Sequence, residues 1–290
     1  MPLFTSNSKL REPISILLFT LIILTLYATL LPFLKVQPQA FQSQYQENLA
    51  KSEMFLFSDK SCSTLILGSS LSSLLEERFL SPGICNLALG GGSALTSLEI
   101  ALLKENSNVR HLIVEMNVLK DIDSELLSTL ASPTWSFLKK HFSFLLQENQ
   151  PVTLLLSFLR MKFPPTSKII TAEQFKVWLD LNKESTSRFS ENDRLEYQEK
   201  LLRLKSRLTQ LKEQGLKITI LWLPRHSDLE KSIASLGQLG ESKNIFPLTE
   251  WSWIHEPLSS LETTDGQHLT ENSAKMFSNI IEPLIKKLEK

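Results

Sequence analysis

The chain has 290 residues, with 31 Lys+Arg balanced by 31 Asp+Glu. That length holds one sizeable domain plus an appendage, and the even charge offers no basic surface for nucleic acid. A hydrophobic fraction of 42% argues against both a disordered chain and a multi-span membrane protein.

The first element is an uncharged run from Ile14 to Leu34 (ISILLFTLIILTLYATLLPFL). Its length matches the core of a bilayer. It holds fourteen Leu, Ile or Phe residues, and at about −0.3 to −0.6 kcal/mol each they favour insertion. No polar stripe interrupts it to form the outer face of a soluble core helix. A cleaved signal peptide has a shorter apolar stretch and ends at a small-x-small site; Lys35-Val36-Gln37-Pro38 offers none. An uncleaved anchor is therefore the favoured reading. The expected organisation is a cytoplasmic N-terminus (1–13), a transmembrane anchor (14–34), a polar juxtamembrane tether (35–60, Gln-rich over 37–48) and an extracytoplasmic body (61–290). The positive-inside bias of Lys9 and Arg11 over Lys35 and Lys51 is slight, so the orientation rests on the export habit of single N-terminal spans.

In the body, short apolar runs alternate with helical patterns. Strands are predicted over 63–67, 84–89, 109–116 and 218–223, with a short fifth at Ile245-Phe246. Helices are predicted from Ser70 to Phe79, after a Ser93 cap, over 192–214, and from a Thr270 cap to the C-terminus. Residues 119–188 break the rhythm and read either as a helical cap over a site or as a subdomain with a packing role. Strand–helix alternation predicts an α/β fold with a parallel sheet covered on both faces. In such folds ligands bind outside the carboxyl ends of the strands. Gly68-Ser69-Ser70, Gly90-Gly91-Gly92 and Asn117 all fall there.

One of those turns carries serines, and Asp265-Gly266-Gln267-His268 carries an aspartate and a histidine. A serine hydroxyl is a poor nucleophile until an imidazole takes its proton. A carboxylate then fixes the imidazole tautomer and stabilises the imidazolium. Asp265 and His268 are three residues apart just before the last helix, so both can project toward the same strand ends.

In these residues the chain resembles the SGNH, or GDSL-type, hydrolase superfamily, over about Ser63 to Lys290 without the middle insertion. Gly68-Ser69-Ser70-Leu71 aligns with the Gly-Asp-Ser-Leu block, which implies Ser70 and not Ser69 as nucleophile. Gly91 aligns with the oxyanion glycine, with Gly90 one register away. Asn117 aligns with the asparagine that donates to the oxyanion, and Asp265 and His268 match the Asp-x-x-His block in full. The resemblance implies a three-layer αβα sandwich and acyl-serine chemistry without cofactor or metal. Ser69, Glu115 and Val118 depart from the family pattern. With the N-terminal anchor, the Gly-Ser-Ser version is similar to the membrane-tethered branch that includes lipoteichoic-acid D-alanylation and alginate acetylation proteins. That branch implies an acylated envelope glycan as substrate and a multi-span membrane acyltransferase as partner. The departures keep a second reading open, a catalytically inactive scaffold that binds a glycan or that partner.

Arg225 and His226 follow the fourth predicted strand and are candidates for substrate contact. Trp251 and Trp253 suit either a sugar-stacking surface or the core. His111, His141 and His255 lack partners at metal-ligand spacing, so no metal is expected. Cys62 and Cys85 start the first two strands, and the sequence fits a disulfide or two buried thiols equally.

Overall fold

The computed structural model describes residues 8–34, 40–105, 107–164, 170–256 and 261–289. Parts of the expected cytoplasmic N-terminus (1–7) and tether (35–39) lie outside them. In chain order the elements are α1 (Ser8–Leu30), α2 (Gln44–Phe57), β1 (Thr64–Leu67), α3 (Ser70–Ser73), β2 (Ile84–Asn86), α4 (Ala94–Leu102) and β3 (His111–Glu115). There follow α5 (Ser124–Ala131), α6 (Pro133–His141), α7 (Pro151–Lys162), α8 (Ala172–Thr186) and α9 (Glu191–Glu213). The chain closes with β4 (Lys217–Leu221), α10 (Ser227–Glu230), α11 (Ile233–Ile245), β5 (Ser252–Ile254) and α12 (Glu271–Glu289).

The residues divide into two compact units. The first combines Met1–Ala50 with Pro133–Pro165. Its helix α1 continues through a 3-10 turn, and Pro13–Phe33 is long and apolar enough to cross a membrane, with a mean hydropathy of 2.5. The Tyr27 hydroxyl donates to the Asn149 carbonyl, and Ser157 Oγ accepts from the Ala40 N–H at 3.1 Å.

The second unit, Lys51–Ser132 with Thr166–Lys290, is an α/β domain. Its five parallel strands lie in the order β2-β1-β3-β4-β5. Ile66, Ile113, Leu221 and Ile254 face one side and pack with Phe277, Ile281 and Ile285 of α12. Leu65, Leu112, Val114 and Ile220, which alternate with them, are equally buried. Strands apolar on both sides are the signature of a sheet covered on both faces. After β2 the chain returns to the far side of β1, so the strand order reverses between β1 and β3. The carboxyl ends of those two strands form the crevice where such sheets bind ligands.

Several local expectations give way to packing. The fifth strand is Ser252–Ile254, while Ile245 ends a helix. A run as short as Ile-Phe suits a helix C-terminus as well as a strand. The serine helix stops at Ser73 and resumes only as a 3-10 turn at Glu77–Phe79. Ser93 precedes α4 without a side-chain cap, because its hydroxyl donates to the Lys120 carbonyl at 3.0 Å. Thr270 does cap α12, its Oγ1 accepting from the Ser273 N–H at 3.2 Å. Much of the supposed tether is helix α2, which buries Leu49, Ala50 and Phe55. Cys62 and Cys85 are joined as a disulfide, Cα–Cα 5.7 Å.

Candidate active site

The serine turn leaves β1 at Gly68 and enters α3 at Ser70. Its support is Glu115, the last residue of β3, which has no exposed surface. One carboxylate oxygen, Oε2, accepts from the Ser69 N–H at 2.7 Å, the Ser69 hydroxyl at 2.8 Å and the Ser72 hydroxyl at 2.8 Å. A buried carboxylate persists only when its oxygens are bonded in this way. Gly68 makes room for it, since a Cβ there would lie 2.6 Å from Glu115 Oε2 and 2.1 Å from Ser72 Oγ. Ser69 Oγ also accepts from the Leu71 N–H at 3.2 Å and caps α3. Ser69 is thus 1% exposed and fully engaged, whereas the Ser70 hydroxyl points elsewhere.

It points at histidine. Ser70 Oγ lies 2.9 Å from His268 Nε2, and His268 Nδ1 lies 2.7 Å from Asp265 Oδ2. A carboxylate can only accept, so Nδ1 carries the proton and Nε2 of the neutral ring is free to take one from serine. Asp265 Oδ1 accepts from the Gln267 and His268 N–H groups, both at 2.8 Å. Burial works against ionisation of Asp265, but these bonds and the imidazole outweigh it and hold the carboxyl below its usual range. Gly266, at φ 92°, takes the left-handed turn that brings aspartate and histidine to one side. The side chains of His268 and Asp265 are 34% and 27% exposed, so solvent reaches the pair.

The remaining sequence candidates divide. Gly91 sits in the turn after β2 at φ 66°, exposed, with its carbonyl accepting from Lys120 Nζ at 2.9 Å. Asn117 is 1% exposed and follows β3. Its Oδ1 accepts from the Leu223 N–H at 2.7 Å and its Nδ2 donates to the Leu223 carbonyl at 2.9 Å. The side chain therefore bridges the loops after β3 and β4, leaving one amide hydrogen for an oxyanion.

Arg225 acts as a brace, with Nη2 donating to the Asn117 carbonyl at 2.8 Å and Nη1 to Ser235 Oγ at 3.1 Å. Burial pulls its guanidinium below the ordinary value, against the opposing charges of Glu230 and Glu115. The His226 N–H donates to the Gly266 carbonyl at 2.9 Å, tying the β4 loop to the histidine turn. Arg225 and His226 also line a cavity of about 940 Å³ with Phe175, Glu230 and Thr264. That cavity reaches the histidine turn through Thr263 and Thr264, but the side chains of Ser70, His268 and Asp265 do not line it. Trp251 is buried edge-on against Phe246, ring centroids 5.0 Å apart, and Trp253 Nε1 donates to the Phe246 carbonyl at 2.8 Å. Trp251 is thus spent on packing, while Trp253 is half-buried.

Two supporting residues had no motif to announce them. Glu115 stood out in the sequence only as a departure from the family pattern within VRHLIVEM, with nothing to mark its supporting role. Asn182 of α8 donates to the Asp265 carbonyl at 2.8 Å and accepts from Gln267 Nε2 at 2.7 Å. The C-terminal part of the helical insertion thereby fastens the histidine turn. Comparison of the sequence with protein-family models and with curated proteins found no match.

Proposed function

We propose that the α/β unit is an SGNH-type serine esterase or O-acyltransferase, held to a membrane by α1 and acting on ester-linked acyl groups of cell-envelope glycans. The observation that carries this reading is the hydrogen-bonded series Ser70–His268–Asp265 at the strand-order reversal of a parallel sheet. In it, Ser70 Oγ attacks the acyl carbonyl while His268 Nε2 takes its proton. The tetrahedral oxyanion is met by the N–H groups of Ser70 and Gly91 and the remaining hydrogen of the Asn117 amide. His268 returns the proton to the departing alcohol, leaving the acyl group on Ser70. Water or a glycan hydroxyl, deprotonated by His268, then removes it.

The apolar α1 and the Cys62–Cys85 disulfide support an anchored protein whose body faces an oxidising compartment outside the cytoplasm. A multi-span membrane acyltransferase is the partner that would supply the acyl group. One observation favours a second reading. The Asn117 side chain is already paired in both directions with Leu223, which suits a scaffold that binds an acylated glycan or that partner without turning it over.

The test is hydrolysis of p-nitrophenyl acetate by the detergent-solubilised full chain. Ser70→Ala is expected to lower the rate by more than about 10⁴-fold, since loss of the nucleophile leaves only what the oxyanion hole and binding supply. Ser69→Ala should keep a measurable rate. No turnover by the parent protein would favour the scaffold.

A further inference from the structure

Helix α7 has its polarity reversed. It turns Thr153 and Ser157 inward, together with Leu154, and presents Leu155, Phe158, Leu159 and Met161 outward. Soluble helices bury the large apolar stripe and expose the hydroxyls. The preceding helix α6 likewise exposes Trp135 and Phe137, and its last turn is basic, Lys139-Lys140-His141. Both helices thus expose large apolar side chains and end in a basic turn, a combination that marks a surface covered in use.

What covers it follows from how this unit is tied to α1. Tyr27 lies six residues before the end of the apolar span at Phe33, about 9 Å along the axis at helical rise. Its hydroxyl donates to the carbonyl of Asn149, in the connection between α6 and α7. If α1 crosses a bilayer, that bond holds the Asn149 carbonyl within a tyrosine's length of a residue about 9 Å inside the end of the span, in the outer part of the acyl-chain region, and α7 starts two residues later. Interfacial helices bury their apolar face about 5–10 Å deep at that level.

We propose that α6 and α7 lie in the membrane interface on the side where α1 emerges, with Leu155, Phe158 and Leu159 among the acyl chains. The protein is then held by a span and a flat helical platform, and not by a single helix on a tether. The proposal rests on the reading of α1 as a membrane anchor.

The test places an environment-sensitive NBD label on single introduced cysteines of the full chain, the native pair being oxidised. The protein is reconstituted in nanodiscs of phosphatidylethanolamine and phosphatidylglycerol, with or without doxyl-labelled lipid. Leu155→Cys and Phe158→Cys should give blue-shifted emission and lose most of it to the doxyl lipid, as should Leu18→Cys within the span. Leu202→Cys, exposed on α9, should emit as in water and resist quenching. Quenching at 18 but water-like emission at 155 and 158 would overturn the platform and leave the anchor standing. Blue-shifted emission at 155 and 158 without quenching would also overturn it, because protein and not lipid would then cover the face. No quenching at 18 would remove the anchor and the platform together.

Discussion

The two turns that make the candidate site are built on opposite principles. The serine turn is buried and held from below by one carboxylate, Glu115, which gathers Ser69 and Ser72 and leaves Ser70 as the outward hydroxyl. The histidine turn is half-exposed and held from its sides, by its own backbone, by Asn182 and by the His226 N–H. A nucleophile must be fixed against its strand, whereas a base must carry a proton between two oxygens and remain reachable by solvent or acceptor. Substitutions in the two turns should therefore differ in kind, with stability lost at the serine end and rate lost at the histidine end.

Apart from loss of the Ser70 hydroxyl itself, the largest expected effect is at Asp265. Asp265→Asn keeps the shape but no longer fixes the Nδ1–H tautomer, and esterase activity should fall by about 10⁴-fold, with a loss of stability at neutral pH that is smaller than the loss at Glu115. Next is Glu115→Gln. An amide offers one acceptor where three donors converge, and removing the charged acceptor should cost about 1.5–3 kcal/mol in denaturant unfolding. A Glu115→Gln protein as stable as the parent would break the contrast between the turns. Asn182→Ala should be milder, with activity reduced by about five-fold, the equivalent of roughly 1 kcal/mol, and the unfolding midpoint nearly unchanged.

The smallest effect is that of acid. Because Asp265 ionises more readily in the folded chain than in the unfolded one, its contribution is fully present above the unfolded value of about 3.9. That contribution is lost as pH falls through the lower folded value. The stability difference between parent and Asp265→Asn should narrow below about pH 4 for this reason, measured by urea unfolding at stepped pH.

How much of this was legible in the sequence depended on the range of the signal. The first four strands and α9 showed through because continuous apolar runs and a charged periodic helix are local patterns. The Ser70 and His268 candidates showed because each sits in a short motif at an element boundary. The fifth strand was misplaced, since Ser252–Ile254 has no continuous apolar run around it, unlike the 84–89 segment that holds the equally short β2. Glu115 and Asn182 stayed hidden because their worth lies in contacts across 46 and 83 residues, which no local spacing encodes. The tether was misread for a related reason: the polar composition of 44–48 is that of a first helical turn as much as of a linker. The middle insertion was read as helical, as it is, but its division between the two units follows no composition shift.

The central claim is that His268 activates Ser70, and covalent labelling tests it most directly. The full chain treated with a fluorophosphonate should gain one phosphonyl group, mapped by peptide mass spectrometry to Ser70, and His268→Ala should abolish the gain. An unlabelled protein, or a label carried by Ser69, would contradict the account.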